Sequence, residues 1–511
     1  MRGAVASGHP LTARAAGDMF SLGGNAFDAA VAAGFASVAA EPTLTSLGGG
    51  GFLLAHIAEQ KEDILFDFFV NTPGLGSRTD GKPAMTPVDI HFPECTQVFH
   101  TGFPSAAVPG MLKGLLHVHR SLCTLPLETV LAPALSCLRE GVEVTALQEY
   151  FLNLLEPIFG STGYGREIYT PGGECMKQGG RLFNPLLKEF FGGIAEGRSD
   201  IYSAEAARNF TEEMKKHGCL ITPGDLEAYR VIERNPLRIA YRDREILTNP
   251  PPSSGGMMLA LGLRLIENIR LSSVCRESGE FFITLVELMK RMQDFRPVKN
   301  RSGTARPLDS TELSPLIESF LRNVSERTFI ATQGTTHIST VDEKGNAASM
   351  TTSNGSGSGR FIPGTGIMLN NMMGEDDLHP DGFFSSPPGE RVSSMMVPAI
   401  ILRNGRADVV MGSGGSKRIK TAVLQVLLNI IDFKRPLEEA VEAPRIHLED
   451  GTVHTEPGLP ADVAGKLAAH YDINRWNTKN MYFGGVHCVN GEMHGWGDSR
   501  RGGVFLTAGQ P

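Results

Sequence analysis

The stretch ATQGTTHISTVDEKGNAASMTTSNG occupies residues 331–355. Its middle, THISTVDEKGNAASMTT, reads as two short strands around a turn at Asp342-Glu343-Lys344-Gly345, because β-branched residues flank a polar, glycine-containing step. Ahead of them stands Gly334-Thr335-Thr336, with no recognisable base in the adjacent residues. A threonine hydroxyl is a poor nucleophile unless a neighbour accepts its proton. Cutting the peptide bond before Thr335 would place a new α-amine on the residue that carries the hydroxyl. Such an amine has a reference pKa of about 7.7–8.0, against about 10.4 for lysine, and so works as a base near neutral pH. One cleavage would supply nucleophile and base together. The bland alternative is a threonine pair that opens a strand because its side chain suits a pleated surface.

Downstream, PAIILRNGRADVVMG (398–412) is a hairpin around Asn404-Gly405. GSGGSKRIKTAVLQVLLNIIDF (412–433) follows, with Ser416 the expected N-cap of an amphipathic helix. Upstream, residues 293–315 are rich in Arg, Pro, Ser and Gly and suit a mobile connection that extends to the Gly334-Thr335 step. Residues 110–235 are mainly helical by periodicity, and NPPPSSGG (249–256) is a proline turn opening a further helix. Asn25 is the expected N-cap of an Ala-rich helix that is apolar almost all round, hence buried. Gly48 to Gly51 precede an apolar strand, the reverse of the order in a dinucleotide fingerprint. Helices on both sides of strand-rich stretches point to a layered α/β body.

The 511 residues are 41% hydrophobic and 20% charged, with a formal net charge of −8, which fits a globular chain with a sizeable core. No Lys/Arg cluster suggests a nucleic-acid partner. The seven cysteines are scattered and form no C-x-x-C pair, and the histidines show no metal-ligand spacing, so neither metal nor cofactor is expected. No apolar run is long enough for a membrane span, and the first residues lack an apolar signal core, so a cytoplasmic protein is expected.

Several stretches resemble the γ-glutamyltransferase (glutathione hydrolase) family of N-terminal nucleophile hydrolases. They are GGNAFDAAVAAG (23–34), EPTLTSLGGGGF (41–52), VPGMLKG (108–114), NPPPSSGG (249–256), TTHISTVDEKGNAASMT (335–351), GIMLNN (366–371), SSMMVPAII (393–401), GSGGSKRI (412–419) and DSRRGG (498–503), in family order over nearly the whole chain. The resemblance implies a four-layer α-β-β-α sandwich. It implies a precursor cut before Thr335 into a large segment, 1–334, and a small one, 335–511, that stay together as a heterodimer. It also implies hydrolysis or transfer of an acyl group from a small-molecule amide of the glutathione type. Thr336 is the competing nucleophile.

By the same resemblance, Gly414 and Gly415 supply the amides that hold the oxyanion. Ser353 supports the nucleophile and Asn354 approximately matches a substrate-binding asparagine. Ser393 and Ser394 match the pair that binds the substrate α-carboxylate, and Glu375 or Asp376 meets the α-amine. The departure is at Asp67-Phe68-Phe69, where the family usually reads Asp-Phe-Arg, so the arginine that clamps the glutamyl carboxylate is absent. An aromatic ring cannot replace a charge-assisted, bidentate pair. Met372 stands where well-known members carry a glutamine. An acylase for a less charged acyl group and an uncut, non-catalytic homologue are therefore the alternatives.

Overall fold

The computed structural model describes residues 1–509 apart from 78–82, 93–94, 268, 270, 272–273, 294–333 and 380–381. The connection expected to be mobile falls, over 294–333, outside the described residues.

In chain order, the elements that build the site begin with β1 (Gly3–Ser7), α1 (Pro10–Ser21), α2 (Ala26–Ala40), β2 (Gly50–Ile57), β3 (Glu62–Phe68), β4 (Ile232–Arg234), β5 (Leu237–Tyr241), β6 (Arg244–Thr248) and α3 (Ser254–Ile266). The series continues with β7 (Thr336–Asp342), β8 (Ala347–Ser353), β9 (Ala399–Arg403), β10 (Arg406–Gly414), α4 (Arg418–Ile431), β11 (Gly485–Asn490), β12 (Gly495–Trp496) and β13 (Val504–Ala508). One antiparallel sheet runs β13-β1-β7-β8-β2-β3-β4 and a second runs β12-β11-β10-β9-β6-β5. Strands β7 and β8 face β10 across the interior. Helices α1 and α2 cover the outer face of the first sheet, and α3 and α4 that of the second. This is the expected α-β-β-α sandwich.

The sequence accounts for these layers through the two-residue period of a strand, which sends alternate side chains to opposite faces. On β1, Ala4 and Ala6 join the core between the sheets, while Val5 joins the core under α1 and α2. On β2, Phe52 and Leu54 face the second sheet, and Leu53 and Ala55 face the helices. With both faces covered, these strands read as continuous apolar runs. All fifteen residues of α2 are buried, and its start is a capping box in which Asn25 accepts from the Phe27 and Asp28 amides while Asp28 accepts from the Asn25 amide. The glycine run before β2 serves close approach, since a Cβ at Gly49 would collide with the Ser353 carbonyl oxygen.

The expected role of Ser416 does not hold. Helix α4 starts at Arg418 with Lys417 at the cap position, and the Ser416 hydroxyl donates to Asp377 Oδ2 at 2.6 Å. Ser416 lies at φ +49°, outside the extended conformation that aims an N-cap side chain at the helix amides. Helix α4 is amphipathic as expected, but its polar stripe is buried too: Thr421 meets His447 Nδ1 at 3.0 Å, Gln425 donates to the Ile446 carbonyl and Asn429 accepts from Arg276 at 2.8 Å.

The closing motif is tied down by a buried ionic cluster. Asp498 meets Arg445 at 2.6 Å and Arg500 at 3.1 Å, and Arg500 reaches Glu456 at 2.6 Å. Burial alone would raise the Asp498 carboxyl, but Arg445, Arg500 and backbone amides outweigh it and hold the group well below the usual range. Stability from this group is therefore complete above the ordinary aspartate pKa and is lost as pH falls toward the depressed one. Removing one partner leaves the others buried and uncompensated. We expect Asp498→Asn to lower the unfolding free energy by about 3–5 kcal/mol in urea titrations at neutral pH.

Candidate active site

Thr335 is buried immediately in front of β7, the third strand of the first sheet. Alternation separates the two threonines. The Thr335 hydroxyl donates to Ser353 Oγ at 3.3 Å, whereas the Thr336 hydroxyl donates to Glu41 Oε2 at 2.6 Å. Ser353, the last residue of β8, also donates to the carbonyl oxygen of Gly334 and accepts from the Gly355 amide at 2.9 Å. One hydroxyl thus touches both the Thr335 hydroxyl and the carbonyl in front of it. Gly334 itself is dictated by packing, because any Cβ there would collide with the Gly355 carbonyl oxygen.

Two buried charged residues hold the following peptide unit. Arg501 Nη1 donates to the Thr335 carbonyl oxygen at 3.2 Å, and Glu41 accepts from both Thr336 and Thr12, the latter at 2.7 Å. Burial pushes the Arg501 guanidinium down to about 10, so it stays a cation at neutral pH. Burial pushes the Glu41 carboxyl up, against the hydrogen bonds from Thr336 and Thr12 and the charge of Arg501. His337, next along, is fully buried between Thr351 and Ser339, and burial holds it well below its usual pKa. It is a neutral core histidine.

Gly414 ends β10 beside this threonine, since a Cβ on it would collide with the Thr335 carbonyl oxygen. Gly415 follows at φ +122°, a conformation that favours glycine. A cavity opens in front of Thr335, and Gly334, Ser353, Glu375 and Ser394 line it with Phe69 and Met372. Asn354 and Asp376 are not among its lining residues. The Asn354 side chain donates to the Leu369 carbonyl at 3.4 Å. Ser393 is turned toward the proline turn, meeting Ser254 Oγ at 2.9 Å and donating to the Pro252 carbonyl at 3.0 Å. Phe69 is buried and stacked on Phe52, with ring centroids 5.5 Å apart.

Sequence reasoning missed three residues here. Glu41 and Arg501 lie in the quoted motifs EPTLTSLGGGGF and DSRRGG, but nothing local tells that they converge on Thr335 and Thr336. Asp377, a lining residue, sits beside the expected acidic pair. Among the described residues, no group of three or more His, Cys, Asp or Glu is placed to hold a metal ion, and no helix is long and apolar enough to cross a membrane.

Two antiparallel sheets stacked between helical layers, with a threonine leading into a central strand, are the fold of the N-terminal nucleophile hydrolase class. Cephalosporin acylase from Bacillus halodurans shares this fold, with a TM-score of 0.82 over 99% of this chain and 95% of that one at 23% identity. Within the class, the chain belongs to the γ-glutamyltranspeptidase family, whose model matches residues 12–508, and it is an enzyme of that family. It is 33% identical over 490 residues to the acylase ACY 1 proenzyme of Pseudomonas sp. (strain SE83), covering 92% of this chain and 86% of the relative. It is 32% identical over 502 residues to the glutathione hydrolase proenzyme of Pseudomonas aeruginosa, covering 91% and 86%. These relatives are proenzymes, and processing into two subunits goes with the family.

The two threonine hydroxyls have different partners, so substitutions at and around them can be told apart. Thr336→Val should still yield a small fragment that begins at Thr335, at a stability cost of about 1–3 kcal/mol for the Glu41 oxygen left without its donor. Ser353→Ala should slow self-cleavage by roughly 10²–10³-fold, the cost of losing one donor to a developing oxyanion. Band intensities on denaturing gels over time, with N-terminal sequencing, measure both.

Proposed function

We propose that the chain is the precursor of a threonine amide hydrolase and acyltransferase that cuts itself between Gly334 and Thr335 and then acts on glutathione-type γ-glutamyl amides. The observation that carries this reading is the Ser353 hydroxyl, which accepts from Thr335 and donates to the Gly334 carbonyl. As Thr335 Oγ attacks the Gly334 carbonyl carbon, its proton passes to Ser353 while the proton of Ser353 moves toward the carbonyl oxygen. On collapse the proton on that oxygen passes to the nitrogen, the Gly334 C–N bond breaks, and the acyl group stays on Thr335 Oγ as an ester with a free α-amine beside it. Water then hydrolyses the ester and frees the Gly334 carboxylate.

In the mature enzyme the α-amine of Thr335 takes the proton of its own hydroxyl. Because Gly334 lines the cavity, its departure leaves room for a substrate carbonyl in front of Thr335. The oxyanion falls to the amides of Gly414 and Gly415, at the entry to α4. The acyl-enzyme is resolved by water or by an amine acceptor. Fragments 1–334 and 335–511 stay together because both sheets combine them: in the first, β7 and β8 lie between β1 and β2, and in the second, β9 pairs with β6.

One observation favours a second reading, an acylase for a less charged acyl group. Phe69 and Met372 both line the cavity, where the family's arginine and glutamine are expected.

A denaturing gel and N-terminal sequencing test the main reading, with two bands expected and the smaller starting at Thr335. Thr335→Ala should leave one uncut chain without hydrolase activity, and an uncut, fully active preparation would refute the mechanism. With a γ-glutamyl anilide, kcat/KM should rise about tenfold per pH unit below the pKa of the amine and level off above about 8. Phe69→Arg should raise γ-glutamyl turnover if the missing clamp limits it.

A further inference from the structure

We propose that Arg501 is a positioning residue for both halves of the reaction centre: lodged in a slot of three glycines, its guanidinium ties the Thr335 carbonyl to the Gly414-Gly415 turn and supplies positive charge behind the oxyanion amides. The inference rests on the threonine hydrolase reading and adds to it a group that never meets the substrate.

The slot is defined by what the glycines leave out. A Cβ on Gly485 would lie 2.5 Å from Arg501 Cδ, one on Gly414 would lie 2.9 Å from Nη1, and one on Gly415 would lie 3.4 Å from Nη2. Gly414 and Gly485 are partners across β10 and β11, so the arginine lies along a strand pair that carries no side chain to displace it. Two carbonyls fix its head: Nη1 donates to Thr335 at 3.2 Å and Nη2 to Met481 at 3.4 Å. Its backbone is fixed as well. The Arg501 amide donates to the Asp498 carbonyl at 3.1 Å, and the Asp498 carboxylate accepts at 2.8 Å from the amide of Val486, next to Gly485 on β11. The ionic cluster of Arg445, Asp498 and Arg500 thus holds Arg501 over its slot.

The consequence is chemical. Arg501 is 3% exposed and is not among the residues that line the cavity in front of Thr335. Burial lowers its pKa to about 10, Asp498 and Glu41 work against that, and it remains a cation at neutral pH. A fixed charge in a buried site acts strongly on charge that develops in a transition state, and it needs no reorganisation when the reaction occurs. The negative oxygen of a tetrahedral intermediate would rest on the amides of Gly414 and Gly415, and the guanidinium packs against the same two residues. It also fixes the carbonyl of the residue that carries the nucleophile, so one side chain sets the nucleophile against the oxyanion turn. The glycines of GSGGSKRI therefore do two things: they present amides toward the cavity and leave room for a cation at their back.

The test uses the self-cut enzyme with whichever of γ-glutamyl and butyryl p-nitroanilide it turns over faster, and butylboronic acid as a mimic of the tetrahedral intermediate. Thr335 Oγ adds to the trigonal boron, its proton passes to the α-amine, and the boron becomes a tetrahedral anion. Arg501→Met should lower kcat by roughly 10–10²-fold with KM within about twofold of wild type, because the charge acts only through the amides and costs less than a lost oxyanion donor. Arg501→Lys, which keeps the charge and loses the fork, should fold, cut itself and fall between the two. Gly485→Ala, which moves the guanidinium without removing its charge, should lower kcat by about tenfold at unchanged KM. Across the series the inhibition constant of the boronate should rise by the factor by which kcat/KM falls.

An Arg501→Met enzyme with wild-type kcat overturns the proposal, as does a rise in KM that accounts for the loss or a boronate affinity that does not follow the rate. An Arg501→Lys chain that does not fold and cut itself also overturns it, since the residue would then serve the fold alone. If Arg501→Met yields no cut enzyme, Arg501→Lys and Gly485→Ala carry the comparison. Any of these failures in an enzyme still inactivated by Thr335→Ala leaves the hydrolase reading standing. A correctly cut enzyme that turns over neither anilide removes both.

Discussion

The hydroxyl of Ser353 meets three groups at once: the Gly334 carbonyl, the Thr335 hydroxyl and the Gly355 amide. Its position is set by the ladder, in which Ser353 pairs with Gly50 and Thr352 with Thr336. A slip of one residue in that register would turn Ser353 toward α2 and bring Thr352 to the threonine in its place. The glycines around it act in the same direction, because side chains at Gly49 or Gly334 would push apart the backbones that carry these groups. The site is thus held by strand pairing and backbone contact, which deform less than loops.

How much of this was legible in the sequence follows from the range of the interactions involved. The Asn25 cap and the turn at Asn404-Gly405 depend on residues within a few positions of one another, and both were readable. The choice between Thr335 and Thr336 was left open because a sequence does not say which face of a strand meets which layer. The structure separates them by parity, with one hydroxyl on Ser353 and the other on Glu41. Ser416 misled for a related reason. Its local setting suits a helix cap, but Asp377, distant in sequence and adjacent in space, takes the hydroxyl. Glu41 and Arg501 were invisible as site residues because they lie near opposite ends of the chain and meet only when β1, β7 and β13 pair side by side.

The interleaving of the sheets has an energetic consequence for a chain that is cut. Strand β7 begins two residues after Gly334 and hydrogen-bonds to β1 on one side, and β8 hydrogen-bonds to β2 on the other. Separating the two fragments would expose the core shared by Ala4, Phe52, Val341 and Met411 and break both ladders. Cleavage before Thr335 would remove one covalent bond and none of that burial.

Chemistry and recognition draw on different parts of the fold. The groups assigned to bond breaking sit on strand ends: Thr335 before β7, Ser353 at the end of β8 and Gly414 at the end of β10. The groups that line the cavity come from connections, with Phe69 just past β3 and Met372, Glu375, Asp377 and Ser394 between β8 and β9. A connection can change a side chain without disturbing a ladder, so the polarity of the cavity can shift while the nucleophile stays in place. Phe69 illustrates the point: it keeps the stacking that its neighbourhood requires while giving up the charge that a glutamyl carboxylate would need.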